Sequence, residues 1–125
     1  MESGIYWVVG AVVLAGVLWL VFRPRPGRSA DLAEALQREP LILDVRTPGE
    51  FGQGHVDGAR NVPVGSIGDV VDGLGDKGAP IVLYCRSGAR SAQAARILRA
   101  AGYTDVTDGG PMSAVQSARA AAEAR

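Results

Sequence analysis

The sequence has very little of the chemistry that proteins use to bind metals or to form disulfides. It contains one cysteine, Cys85, and one histidine, His55, among 125 residues. A single cysteine excludes an intramolecular disulfide, and these two residues do not supply the ligands of a Cys/His zinc site. We therefore expect no metal and no structural cofactor. A lone thiol is also more common in a reducing compartment.

An excess of charge of either sign is absent too. The chain has 13 basic and 13 acidic side chains and a formal net charge of zero at pH 7. Proteins that bind nucleic acid through bulk electrostatics carry a clear basic surplus. We therefore expect no nucleic-acid partner.

Charge is missing altogether from residues 4–22, "GIYWVVGAVVLAGVLWLVF". A helix of this length spans roughly 28 Å, close to the apolar thickness of a bilayer of about 30 Å. Trp7 and Trp19 lie near its two ends, where interfacial aromatic residues are common. Buried core helices rarely run this long without a polar face, so the segment predicts one transmembrane helix and a lipid bilayer as partner.

A cleaved signal peptide is the main alternative for this segment. It would need basic residues before the apolar run, but the chain starts "MESG", and Arg23, Arg25 and Arg28 follow the run. Under the positive-inside rule, this predicts a single-pass protein of the inner (cytoplasmic) membrane with its N-terminus outside and its domain in the cytoplasm. Residues 1–28 form the anchor and a short proline-containing tether, and residues 29–125 form the domain.

The domain alternates apolar strands with helical patterns, which predicts an α/β fold with a parallel sheet flanked by helices. Ser29 or Asp31 can cap the first helix of the domain, and "TPGE" (47–50) has the pattern of a capping box. The predicted strands are 40–45, 59–64, 80–84 and, weakly, 103–107. Helical spacing continues over 67–74, 91–102 and 111–125.

The cysteine follows the apolar run "PIVLY" directly and precedes a strong helical pattern. Ligands of parallel sheets bind at the carboxyl ends of strands, and a helix start favours negative charge. Gly88 lets the loop amides converge, and Arg86 and Arg90 add positive charge. These features stabilise a thiolate, which is the nucleophilic form. The plain alternative is a small buried apolar residue, which would need no arginine beside it.

"CRSGARS" (85–91) resembles the active-site loop of rhodanese-like sulfurtransferases, and "LILDVRTPGEFGQGHVDGARNVP" (41–63) resembles another signature of that family. The resemblance implies a single three-layer rhodanese-like domain, preceded here by the transmembrane helix. It also implies that Cys85 takes a sulfane sulfur as a persulfide, with no cofactor. The partners would be a donor, thiosulfate or a persulfide, and a thiol, cyanide or protein acceptor. Residues Arg86, Ser87, Gly88, Ala89 and Arg90 would bind the anionic donor.

The length of the loop separates two related activities. Four residues lie between Cys85 and Arg90, one fewer than in cysteine phosphatases. A shorter loop suits the smaller sulfur substituent of a persulfide better than a phosphate. Two other readings stay open: a non-catalytic interaction module at the membrane, and a thiol-dependent reductase of an oxyanion such as arsenate. A reductase would normally need a resolving thiol, which this chain lacks.

Three residues of the other signature are expected to support the loop. Asp44 ends a strand at the same sheet edge, Arg46 follows it, and Glu50 could accept hydrogen bonds from Arg46 or Arg90. We expect structural salt bridges here rather than direct catalysis. For His55, a hydrogen bond that stabilises a turn is favoured over a role as general base.

The C-terminal region departs from the family pattern. Family members carry an aromatic residue, often tryptophan, shortly after a Gly-Gly turn, but here Met112 follows Gly109 and Gly110, and residues 108–125 contain no tryptophan. We therefore expect the last helix to pack more loosely or in a shifted register.

Overall fold

A computed structural model describes residues 3–22 and 28–124 of the chain. Most of the predicted tether, including Arg23 and Arg25, lies outside the described residues. The described part contains one long apolar helix followed by the alternating strands and helices of the predicted domain.

Helix α1 runs over Ser3–Phe22, and the side chains of residues 4–21 are all exposed. Its stretch Gly4–Val21 is long and apolar enough to cross a membrane. At about 1.5 Å per residue, the helix is as long as the apolar layer of a bilayer is thick. A helix of this length and composition near an N-terminus serves in proteins as a membrane anchor or as a signal sequence.

Four parallel strands form one sheet in the order β2-β1-β3-β4. The prediction of an α/β fold with a parallel sheet is confirmed. The two central strands pair residue for residue, with Leu43 opposite Leu83. The strands are β1 (Leu41–Asp44), β2 (Arg60–Asn61), β3 (Ile81–Cys85) and β4 (Val106–Pro111).

Both faces of the sheet are covered by apolar side chains, as expected for a parallel sheet with helices on each side. Alternate residues along β3 enter different clusters: Leu83 joins one, and Val82 joins the other. The first cluster also contains residues of α5 (Ala89–Ala100) such as Leu98, and the second contains Leu32 of α2 (Arg28–Gln37) and Val115 of α6 (Met112–Glu123). The domain therefore has the three layers that the sequence predicted.

The helices of the domain agree with the predicted segments but differ at some ends. They are α2 (Arg28–Gln37), α3 (Pro48–Gly52), α4 (Ile67–Val70), α5 (Ala89–Ala100) and α6 (Met112–Glu123). Helix α2 begins at Arg28, before both predicted caps, so Asp31 lies in its first turn instead. The predicted helix over 67–74 is only partly right, because α4 is flanked by 3-10 turns at Val64–Ser66 and Val71–Gly73.

The last strand lies later than the weak prediction over 103–107. Strand β4 begins at Val106, and its register with β3 shifts between the pairs Leu83–Asp108 and Cys85–Pro111. The shift leaves two glycines opposite one residue of β3. A Cβ at Gly109 would come within 2.6 Å of a Val115 side-chain carbon, so only glycine fits there.

Helix α6 packs against α2 and β4 despite the missing aromatic residue. Val115 is fully buried and Ala118 is nearly so, while Met112 and Ala114 are half-buried against the same cluster. Small side chains therefore make the contacts of this helix, and the expectation of looser packing or a shifted register relative to the family stays a prediction.

Candidate active site

Cys85 is the last residue of β3, and α5 begins at Ala89. The residue before the helix, Gly88, has a φ of +100°, a left-handed conformation that residues with a Cβ rarely adopt. A Cβ on Gly88 would also contact the Cα of Gly110 at 3.7 Å. The bulge of β4 formed by Gly109 and Gly110 therefore lies directly beside the cysteine loop.

The Cys85 sulfur is fully buried and lies among hydrogen-bond donors. The Gly88 amide donates to Sγ at 2.9 Å, and the thiol donates to Ser91 Oγ at 3.6 Å. Burial alone raises the pKa of the Cys85 thiol. The Ser91 amide and hydroxyl and the amides of Gly88 and Ser87 lower it by more, so the net shift of the pKa is downward. The loop favours the thiolate through fixed dipoles.

The two arginines of the loop are placed differently from one another. Arg86 is exposed, whereas Arg90 is half-buried and forms a bidentate pair with Glu50, at 2.6 Å and 3.0 Å. The sequence predicted that both guanidinium groups would stabilise the thiolate. Because Glu50 neutralises much of the Arg90 charge, the amides and Ser91 carry most of that effect.

Glu50 connects helix α3 to the cysteine loop. Thr47 caps the helix, and its Oγ1 accepts the Glu50 amide at 3.2 Å, while Glu50 Oε1 accepts the Thr47 amide at 3.2 Å. The predicted capping box is confirmed. Hydrogen bonds from Arg90 and from the Thr47 backbone lower the pKa of Glu50 to about 2. The same carboxylate therefore caps the start of α3 and fixes Arg90.

Asp44 and Arg46 form a second pair at the end of β1, almost entirely out of contact with solvent. Arg46 Nη2 donates to Asp44 Oδ2 at 2.6 Å and to the Gly54 carbonyl at 2.7 Å. Asn61 Nδ2 donates to the carbonyls of both residues at 3.0 Å. These contacts fix the loop between β1 and β2. Glu50 lies with Arg90 and not with Arg46, which decides between the two predicted partners.

Two residues near the loop were not predicted from the sequence. The Tyr84 hydroxyl accepts the Val56 amide at 3.0 Å, and burial raises the pKa of Tyr84 to about 12. Ser91 is fully buried beside the sulfur. The only sequence signal for Ser91 is a hydroxyl in the first turn of the helix after the cysteine loop.

His55 lies on the exposed side of the turn after α3. Its ring stacks on Phe51 with 3.7 Å between the ring centroids, and its Nδ1 lies 3.0 Å from the Phe51 carbonyl. These contacts are those of a residue that stabilises a turn. Within residues 3–22 and 28–124, no cluster of three or more His, Cys, Asp or Glu side chains could hold a metal ion.

Comparison with known families gives one match that covers most of the domain. The model of the rhodanese-like domain matches residues 29–110. This chain belongs to the rhodanese-like family. The matched range contains both sequence signatures, the cysteine loop and the Gly109–Gly110 bulge.

Several proteins have sequences related to this chain. The uncharacterized protein YqhL of Bacillus subtilis is 40% identical over 70 residues, which are 55% of this chain and 54% of that protein. The thiosulfate sulfurtransferase PspE of Escherichia coli is 38% identical over 69 residues, which are 54% of this chain and 66% of PspE. The chain thus spans between about half and two thirds of the length of these curated relatives.

Solved rhodanese structures share the fold. A rhodanese from E. coli solved with anions is 34% identical with a TM-score of 0.57, and the match covers 60% of this chain and 89% of that one. The Rhodanese_3 like domain of the Anabaena protein Alr3790 is 28% identical with a TM-score of 0.58, and the match covers 62% and 91% of the two chains.

Proposed function

We propose that this chain is a membrane-anchored sulfurtransferase that carries a sulfane sulfur as a persulfide on Cys85. The main supporting observation is the hydrogen bond of 2.9 Å from the Gly88 amide to the Cys85 sulfur, at the start of α5. The first N–H groups of a helix have no partner within the helix, so they are free to stabilise an anion there. A relative named thiosulfate sulfurtransferase supports the same chemistry.

Loading begins with the Cys85 thiolate. The thiolate attacks the outer sulfur of a donor, which is thiosulfate or a low-molecular-weight persulfide, and a new S–S bond forms. With thiosulfate, the old S–S bond breaks and sulfite leaves with its electron pair. With a persulfide donor, the departing thiolate takes that electron pair instead. No external oxidant and no proton are needed, because the outer sulfur keeps the negative charge that it bears in the donor and the charge of the Cys85 thiolate leaves with the leaving group.

The loop binds the anionic donor through an arginine side chain and through backbone N–H groups. Arg86 is exposed and able to meet an anion from solvent, and the backbone amides of Ser87, Gly88 and Ser91 lie at the Cys85 sulfur. A related rhodanese from E. coli was solved with anions, which supports an anionic donor for this chain. Because Cys85 is fully buried, its surroundings must open before the outer sulfur of a donor reaches Sγ.

Discharge reverses the charge movement. An acceptor thiolate, cyanide or a partner protein attacks the outer sulfur, and the electron pair of the broken S–S bond returns to Cys85 Sγ. The outer sulfur lies about 2 Å from Sγ, so the same amides can serve either atom. Discharge therefore leaves the site ready for the next donor.

A turnover assay tests this activity directly. The full chain in mild detergent should form thiocyanate from thiosulfate and cyanide, and Cys85→Ser should reduce the rate to background. Ser113→Ala, which changes an exposed serine of α6, is the matched control and should keep the wild-type rate. Equal rates for Cys85→Ser and the wild type would overturn the proposal.

The anchor part of the proposal is supported by α1. Its exposed apolar side chains need a lipid environment, and the arginines beyond it favour the orientation with the N-terminus outside and the domain in the cytoplasm. We place the domain boundary between residues 28 and 29, where the family match begins. A short tether would keep the cysteine loop close to the membrane surface.

Two measurements separate an anchor from a cleaved signal sequence and fix the orientation. The intact mass of the protein isolated from cells should include the apolar segment, whereas a cleaved form would lack it. Ser113→Cys in a Cys85→Ser background should react with a membrane-impermeant maleimide only after the cells are opened. Labelling of intact cells would contradict the proposed orientation.

A further inference from the structure

The polar side chain of Ser91 contacts the Cys85 sulfur. The sulfur-transfer steps described above give its hydroxyl no part. It lies in the first turn of α5 and is fully buried. Its Oγ is 3.6 Å from Cys85 Sγ, and its hydroxyl donates to the Gly88 carbonyl at 3.1 Å. The hydroxyl thus lies between the reacting atom and the backbone of the same loop.

A serine hydroxyl has one proton, so it can donate to only one acceptor at a time. When Cys85 is a thiol, the S–H group donates to Ser91 Oγ and the hydroxyl donates to the Gly88 carbonyl. A thiolate has no proton to donate and attracts donors. The Gly88 carbonyl also accepts the Ala92 amide at 3.1 Å, so it keeps a partner when the Ser91 hydroxyl turns away. Rotation therefore leaves no buried polar group unsatisfied.

We propose that the Ser91 hydroxyl is a hydrogen-bond switch with two positions. It donates to the Gly88 carbonyl while Cys85 is a thiol or carries sulfur, and to Cys85 Sγ whenever that atom bears the negative charge. The role in turnover rests on the sulfurtransferase function proposed above. The hydroxyl keeps its proton throughout, so the switch adds no acid or base to the reaction.

The switch acts at both chemical steps because the charge leaves or returns to the same atom. During loading, Sγ loses its negative charge as the new S–S bond forms, only the outer sulfur remains charged, and the hydroxyl returns to Gly88. During discharge, the acceptor bonds to the outer sulfur, the S–S bond breaks, and its electron pair arrives on Sγ. The hydroxyl then stabilises Sγ as the leaving group.

Other charged groups around the sulfur do not replace this donor. Arg90 lies within electrostatic range of Cys85, but it is held by Glu50 of α3, and Arg86 is exposed. The sulfur therefore depends on uncharged donors close to it. Among them, the hydroxyl of Ser91 is the one able to turn away when the charge leaves.

The single cysteine allows a direct test that needs no turnover. Cysteine labelled with ¹³C at Cβ gives one signal from the full chain, and its shift reports ionisation of the thiol as pH changes. We expect Ser91→Ala to raise the thiol pKa by about one unit or more, as loss of a hydrogen bond to a charged group should. Ser91→Thr, which restores a hydroxyl, should return the pKa toward the wild-type value, and Ser113→Ala should leave it unchanged.

The same variants should differ in discharge. For protein loaded with sulfur beforehand, Ser91→Ala should slow thiocyanate formation by about tenfold at saturating cyanide. An unchanged thiol pKa in Ser91→Ala, or an equal rise in Ser91→Thr, would overturn the switch even if sulfur transfer stands. If the wild type fails to load sulfur while the pKa shift is found, the proposed function is wrong and the hydrogen bond to the thiolate remains.

Discussion

Two arginine–carboxylate pairs lie near the carboxyl edge of the sheet, and they differ in burial. The side chains of Arg46 and Asp44 are 8% and 0% exposed, whereas those of Arg90 and Glu50 are 31% and 25% exposed. The buried pair fixes the loop after β1, and the half-exposed pair positions an arginine of the cysteine loop. Removing one partner of a buried pair is costly, while an exposed pair contributes little. The Arg46–Asp44 pair should therefore contribute mainly to stability, and the Arg90–Glu50 pair mainly to the reaction.

The largest effect on stability should come from breaking the buried pair. Asp44→Ala leaves the Arg46 guanidinium without its carboxylate, and we expect a loss of about 3–5 kcal/mol in the free energy of unfolding. Denaturant unfolding of the full chain in mild detergent measures this loss. Asp44→Asn, which keeps the shape but not the charge, should lose less. A loss below about 1 kcal/mol for Asp44→Ala would show that the pair is not structural.

Breaking the half-exposed pair should affect the reaction more than the fold. Arg90→Ala should cost about 1 kcal/mol of stability or less, but should raise the KM for thiosulfate about tenfold, because the loop that binds the anion loses its attachment to Glu50 of α3. Steady-state thiocyanate formation measures the change. A large loss of stability with an unchanged KM would reverse the roles assigned to the two pairs.

The Arg90–Glu50 pair also predicts how the stability of the protein depends on pH in acid. Arg90 and the Thr47 backbone lower the pKa of Glu50 to about 2, so the folded protein holds this carboxylate ionised more strongly than the unfolded chain does. The stabilisation is complete above the usual glutamate pKa of 4.5 and is lost as pH falls toward 2. Thermal unfolding of Glu50→Gln should therefore be less sensitive to pH in this window than that of the wild type. Parallel profiles would contradict the pairing.

The smallest effect is expected at a third, fully surface pair. Lys77 and Asp72 are 41% and 91% exposed, with 3.3 Å between Lys77 Nζ and Asp72 Oδ1. Asp72→Asn should change the free energy of unfolding by no more than about 0.5 kcal/mol and leave thiocyanate formation unchanged. A loss as large as that of Asp44→Ala would show that burial does not determine how much each ion pair contributes to the free energy of unfolding.

The layered fold could be predicted because its signals are local. Apolar runs of strand length and the capping box of "TPGE" each lie within a few residues, and the structure has both. Strand β4 was harder, since Asp108, Gly109 and Gly110 have poor strand propensity, and its position is set by pairing with β3. The ends of some helices and strands, such as the start of α2, depend on tertiary packing and could not be predicted from short sequence patterns.

In the candidate site too, the local features could be predicted from the sequence and the long-range contacts could not. Cys85, Gly88 and their loop are contiguous, so the sequence predicted their meeting at the start of α5. The pairing of Glu50 with Arg90 joins residues 40 positions apart, and the sequence left Arg46 as an equal partner. The contribution of Ser91 could not be predicted, because a serine in the first turn of a helix more often serves the backbone alone. Only the distance to the sulfur distinguishes it.

Intact mass after brief exposure to thiosulfate tests the central claim most directly, that the Cys85 sulfur is held as a nucleophile that accepts one further sulfur. The wild-type chain should gain the mass of one sulfur atom and lose it again on addition of cyanide, and Cys85→Ser should gain nothing. A wild-type mass that does not change, or an equal gain in Cys85→Ser, would contradict the account.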